Sequence, residues 1–181
     1  LYRRDGGAPP GAAGSFGGGD RLVSEYEEAE LLPRISERVR VFLTRTAVLD
    51  RMCGPLCDAV LERSGSAATL ADLARSNQLL VPLDRRGHWY RYHHLFRDML
   101  LAELERVEPD LIPVLGRRAA AWCLRYDLVE ASLEYSLAAG DVDQAARLVG
   151  RLARLTYRQG RVNTLWRWCR HGTRHGARLW R

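Results

Sequence analysis

The 181-residue sequence contains no lysine: all 28 of its basic residues are arginine. That uniformity reads first as arginine-rich coding bias and only second as phosphate recognition, because arginine also serves ordinary surface ion pairs. Without lysine there is no G-x-x-x-x-G-K-[ST] loop, which excludes a phosphate-cradling nucleotide site of that kind. Cysteine is scarce. Cys53, Cys57, Cys123 and Cys169 are too few and too scattered for a disulfide framework, so reduced thiols are expected. No apolar run is long enough to cross a bilayer, and no charged start leads into an apolar stretch, so a cytoplasmic location without membrane contact is expected. No Ser-His-Asp set, pocket-like acid pair or activated cysteine is discernible. The chain is therefore expected not to be an enzyme and to carry no cofactor of its own.

What the sequence does hold is enough apolar material to bury a core. Apolar residues make up 46% and charged residues 28%, with a formal charge of +6 and a pI near 9.5. That leaves room for one ordinary domain or two small ones, and for an acidic partner.

Residues 1–20 are dominated by glycine and small side chains and are expected to be disordered. From Ser24 onward apolar residues recur at helical spacing, with Pro33 separating one helix around Tyr26 from another carrying Val39, Phe42 and Leu43. Pro55 suits the first turn of a further helix bearing Leu56, Ala59 and Val60. Thr69 is the expected cap of the next, with Leu70, Leu73 and Ala74 as its stripe and Asn77 as its stop. Leu79–Leu83 and Trp89–Tyr92 flank the turn formers Asp84–Gly87 and read as a β-hairpin. A long helix follows from about His93 to Val107. Helices, hairpin, helix in that order describe a winged helix over roughly 36–108, within a segment running from 21 to 108. Its helix from Thr69 occupies the position that reads the major groove when such folds bind DNA.

Beyond Pro113 the pattern changes to short helical hairpins. Asp127 with Glu130, and Asp141 with Gln144, are spaced for reciprocal capping, and Gly140 and Gly160 are expected stops. Small residues at Ala119, Ala120, Ala131, Ala138 and Ala145 allow close helix approach, as in stacked α-hairpin (TPR-like) repeats. Residues 109–170 are thus expected to be a partial repeat region, with 171–181 an unassigned tail. The expected class is mainly α.

Five stretches in order, Phe42–Asp50, Gly54–Val60, Leu79–Asp84, Trp89–Asp98 and Arg118–Trp122, resemble the MalT-like branch of LuxR-family transcriptional regulators. The resemblance runs from about Phe16 to Trp168. It implies a multidomain switch with an ATPase module, a winged helix, a repeat-built sensor for an inducer and a C-terminal helix-turn-helix that binds promoters. Only the second and the start of the third are represented, so ATP/ADP is implied only for a full-length member. The implied partners are the ATPase module and the rest of the sensor, with DNA reached through the helix-turn-helix.

Tyr92-His93-His94-Leu95-Phe96-Arg97-Asp98 is also similar to a Met-His-Asp motif of signal-transducing ATPases. That likeness implies that His93 touches the β-phosphate of ADP in the resting state. A histidine at a helix N-terminus adds a donor beside amides already suited to an anion. Against this stands a plain capping and packing role for His93 and, more strongly, for His94. Arg75, Arg85 and Arg86 are possible phosphate or DNA contacts if the chain is instead a stand-alone basic winged-helix DNA-binding protein. A hydrolase using metal held by His93, His94 and the cysteines is a third reading. Cys53 and Cys57 lie one helical turn apart rather than in a turn-borne pair, so buried thiols are expected and no metal. Trp122, Tyr126, Trp166 and Trp168 are expected in a core rather than a ligand groove.

Overall fold

Phe42 and Leu43 fall on the buried face of the first helix, α1 (Glu37–Thr46), and Ala47 and Leu49 continue the same core past its end. A computed structural model of the chain describes residues 36–76, 80–164 and 166–168. The stretch 1–20, the helix around Tyr26, the stop at Asn77, Cys169 and the tail 171–181 lie outside the described residues.

Pro55 sits in the first turn of α2 (Gly54–Leu61), where its missing N–H costs nothing, and Leu56, Cys57 and Val60 face inward. The helix ends with Glu62 in the left-handed region, and the Arg63 N–H donates back to the Asp58 carbonyl at 3.1 Å. α3 (Ser66–Ser76) begins four residues earlier than a Thr69 cap requires. The Asp58 carboxylate accepts the Ser66 N–H at 2.9 Å, so the cap comes from α2 instead. Thr69 lies inside the first turn.

Strands β1 (Leu80–Pro82) and β2 (Tyr90–Tyr92) pair antiparallel in the register Leu80 to Tyr92. Tyr90 and Tyr92 point into the core while Arg91 faces out, as the two-residue period of a strand requires. Met52 pairs with the other edge of β2: it exchanges both backbone hydrogen bonds with Tyr90, at 2.8 and 2.9 Å. α4 (His94–Val107) buries Phe96, Leu100 and Leu104 and packs along α1. Arg45 clamps the C-terminal end of that pair, its Nε and Nη2 donating to the two Glu108 carboxylate oxygens at 2.9 and 2.6 Å.

Further helices follow, α5 (Leu111–Arg125), α6 (Val129–Ala138) and α7 (Val142–Arg158), with α6 packed on α5 and α7 on α6. α5 also packs on α2. The reciprocal capping expected at both helix starts forms at neither. Asp127 is in the left-handed conformation as the stop of α5, with the Leu128 N–H donating to the Cys123 carbonyl at 2.8 Å. Asp141 does accept the Gln144 N–H at 3.0 Å, but the Gln144 amide oxygen accepts from Arg147 rather than reaching back. Gly140 and Gly160 repeat the Asp127 stop with positive φ. Ala138 is exposed, and Ala139 takes its place in the packing, against Gly116 of α5. Leu133, Leu137, Ala145, Leu148 and the buried Trp168 form the core of this end. Among the described residues no helix is long and apolar enough to cross a membrane.

Close approach makes three glycines unequal. A Cβ on Gly54 would lie 2.6 Å from that of Ala67, and one on Gly116 would lie 2.9 Å from that of Ala139, whereas one on Gly150 of α7 would meet nothing within 4 Å. Gly54→Ala and Gly116→Ala should each lower stability by about 1–3 kcal/mol in urea titration. Gly150→Ala should raise it by up to about 1 kcal/mol, because only the entropic cost of glycine in a helix is removed. Equal effects at all three would contradict the packing described.

Candidate functional site

Strand β2 delivers the two histidines to the start of α4. Tyr92 is wholly buried, its hydroxyl 2.7 Å from Thr46 Oγ1 and its ring edge-on to Phe96 at 5.7 Å. Burial pushes its phenol pKa well above the usual value, against the lowering effect of the Thr46 bond. With Tyr92 anchored, His93 falls at the N-cap with extended backbone, and its carbonyl accepts the Arg97 N–H at 2.9 Å. The imidazole makes no capping bond, so the capping role considered for it is absent. Both histidines are exposed and their rings lie 4.5 Å apart. No acidic residue occupies the first turn of α4. Chemically this is a helix N-terminus with free amides and two adjacent imidazoles, an arrangement suited to an anion. One turn on, Arg97 donates from Nε to the Ala47 carbonyl at 3.0 Å and borders a depression of about 620 Å³. Arg51 and Arg167 line it, as do Asp50, Glu130 and Glu134, so an anion there meets both signs.

Arg75, Arg85 and Arg86 stand apart from the histidines; among the described residues no hydrogen bond or ring contact joins them to His93. Arg75 is on α3, bonded to Asp72 at 2.5 Å and to the Ala71 carbonyl at 3.3 Å. The outward face of α3 is Ala67, Ala68, Asp72 and Arg75, which offers little to read a base edge. Arg85 and Arg86 are exposed at the wing tip. The tip is organised by Asp84, expected from the sequence only to be a turn former. Asp84 accepts the N–H groups of Arg86, His88 and Trp89 at 2.9, 3.0 and 2.9 Å. The His88 N–H above all, with those of Trp89 and Arg86, holds its carboxyl below the usual range. Its spacing from Gly87, which has φ of +64°, was the available signal.

The aromatics divide. Trp168 is core as expected, but Trp166 and Tyr126 are exposed. Trp122 meets Trp89 edge-on at 6.4 Å and Tyr126 at 4.4 Å, and the three border a groove of about 400 Å³ between the wing, the start of α2 and α5. Arg51 lies over the Trp89 ring at 5.3 Å. Cys53, Cys57 and Cys123 are buried free thiols, and burial raises the pKa of each, that of Cys123 to about 11, so none is an activated nucleophile.

Residues 28–112 match the family described as the MalT winged helix domain. Over those residues the chain is similar to that family. Beyond the MalT-type winged helix, the likeness extends along most of the chain. It is 28% identical over 149 residues to "Serine/threonine-protein kinase PknK" of Mycobacterium tuberculosis, covering 82% of this chain and 13% of that protein. It is 25% identical over 145 residues to "HTH-type transcriptional regulator MalT" of Vibrio campbellii, covering 78% of this chain and 16% of the other. The Klebsiella pneumoniae regulator of the same name is 28% identical over 119 residues, 66% of this chain and 13% of that one. The chain thus spans only 13–16% of the length of these relatives.

The Asp84 network sets a pH dependence for the wing of the MalT-type domain. A carboxyl whose folded pKa is depressed contributes stability above its unfolded pKa of about 3.9 and loses it as pH falls through the folded value. At neutral pH, Asp84→Ala should therefore speed hydrogen exchange at the amides of Arg86, His88 and Trp89. Mutant and parent should converge in acid. Identical exchange at pH 6 would show that the carboxylate does not hold the tip.

Proposed function

We propose that this chain is a non-catalytic regulatory segment of a MalT-like transcriptional regulator, whose winged helix couples the nucleotide state of an ATPase module to a ligand-sensing helical-repeat region. The observation that carries this reading is that one segment is shared with a protein named as a kinase and with proteins named as transcriptional regulators. A segment common to different outputs is best explained as the part that conveys a state to them. Three features of the chain support it. The winged helix over 36–108 has eleven arginines against ten acidic residues, too even a balance for a basic DNA-binding domain standing alone. α5 and α6, the first hairpin of the repeat-like region, are fastened to it: Arg118 donates to the Val60 carbonyl at 3.1 Å and to Glu62 at 2.5 Å, and the Asp50 N–H donates to the Tyr135 hydroxyl at 3.1 Å. His93, at the open N-terminus of α4, is the residue assigned to the nucleotide, and His94 is assigned to local packing.

Calorimetry on the chain with ATP and with ADP should show no binding tighter than millimolar, because His93 supplies one contact and the phosphate loop is absent. In a regulator with its ATPase module present, His93→Ala should weaken ADP more than ATP. Losing one charge-assisted hydrogen bond of about 1.5–3 kcal/mol should reduce the population of the ADP-bound resting state roughly tenfold to a hundredfold. His94→Ala should leave that ratio alone. An ADP-to-ATP ratio unmoved by His93→Ala would overturn the assignment, since only differential affinity shifts such an equilibrium.

A further inference from the structure

The charge of this chain is unevenly placed. Residues 1–141 carry eighteen arginines and 21 acidic residues, a net −3, whereas residues 142–181 carry ten arginines and a single acid, Asp143, a net +9. The overall charge of +6 therefore arises wholly within the last forty residues. Of those ten arginines, four stand on α7 (Val142–Arg158): Arg147, Arg151, Arg154 and Arg158, all exposed. At about 100° per residue, their spacing of four, three and four places them within an arc of about 60°. The opposite side of the helix is the packed one, with Ala145, Leu148 and Thr156 buried and Val149 and Leu152 against the core. Neither exposure nor direction is accidental. Each guanidinium projects from a helix whose other face is fixed.

Several arginines elsewhere in the chain pair with acids, Arg45 with Glu108, Arg118 with Glu62, Arg161 with Glu130 and Arg167 with Glu134, whereas others, such as Arg85 and Arg86 at the wing tip, form an ion pair with none of the described residues. On α7 no arginine has an acidic partner among the described residues. Arg147 donates only to the neutral Gln144 side chain, and Arg151, Arg154 and Arg158 make no ion pair or hydrogen bond with any of the described residues. Asp143, at the N-terminal end, is the one acid on the helix. Four like charges on one face repel one another. A polyanion would relieve that repulsion.

We propose that the arginine face of α7 is a docking surface for the phosphate backbone of duplex DNA, bound without sequence preference. The stripe is about 16 Å long, and one strand of B-DNA presents about five phosphates over that length of axis. Guanidinium suits phosphate because its planar fork donates two hydrogen bonds at once. No apolar side chain stands within the arc, and protein–protein interfaces ordinarily have an apolar centre, whereas interfaces with DNA are polar and strongly positive. A nucleic acid is therefore favoured over an acidic protein. This surface is separate from the wing and α3.

The test uses the whole 181-residue chain and a labelled 25-base-pair duplex of random sequence, with anisotropy followed between 50 and 200 mM salt. Replacing Arg151, Arg154 and Arg158 together by Gln should weaken binding at least tenfold at the lower salt and reduce the slope of log K against log salt by about three. Replacing Arg75, Arg85 and Arg86 by Gln should change neither by more than about a third of that. Circular dichroism melting should be unaltered in the α7 variant, since those side chains touch nothing that holds the fold. Binding unaffected by the α7 substitutions, or lost with the wing substitutions instead, overturns the proposal. Failure to bind the duplex together with tight binding of polyglutamate overturns it too, in favour of an acidic protein.

Discussion

Everything in the winged helix is located by strand β2, only Tyr90, Arg91 and Tyr92 in length. Its backbone pairs with β1 on one side and with Met52 on the other, so the wing, the loop between α1 and α2, and the start of α4 share one hydrogen-bonded ribbon. The inward tyrosines then determine depth. Tyr92 reaches Thr46 at the end of α1 through a hydroxyl pair with no access to water, where an unmet partner would cost about 1–3 kcal/mol. Thr46 in turn donates back to the Phe42 carbonyl, which ties the interaction to the helix carrying Phe42 and Leu43 into the core. Because the strand leads directly into α4, the position of His93 is a by-product of where Tyr92 is buried.

Much of this was legible in the sequence, for identifiable reasons. Apolar periodicity indicated α1 and α4, each of which buries a continuous stripe, Pro55 followed by Leu56 and Val60 indicated α2, and the alternation of Tyr90 and Tyr92 indicated the strand. The misses share another cause. Thr69 and Asp127 are good caps by local rules, yet each lost its place to a partner remote in sequence or to a backbone stop. Asp58, eight residues back, takes the role expected of Thr69, and the left-handed turn at Asp127 ends a helix where capping chemistry suggested a beginning. Side-chain propensity says that a residue can stabilise an end; only the three-dimensional path says which end. The exchange of Ala138 for Ala139 has the same origin, since a one-residue change of helix phase leaves composition untouched.

The candidate site was readable only as far as local order allowed. His93 at the start of a helix followed from the strand-helix junction, and the weak reading surface of α3 followed from its apolar stripe. The groove bordered by Trp89, Trp122 and Tyr126 did not, because its walls come from the wing and from α5, separated in sequence by more than a whole helix. Nor did the Met52 pairing, a single rung without a flanking run of β-formers.

Arg118 and Tyr135 have a mechanical meaning. They fasten backbone groups rather than loose side-chain ends: one holds the Val60 carbonyl near the end of α2, the other the Asp50 N–H ahead of it. Held on both sides of α2, the α5–α6 hairpin is fixed by more than a single contact. Separating it from the winged helix requires losing both backbone attachments together with the packing of α5 on α2.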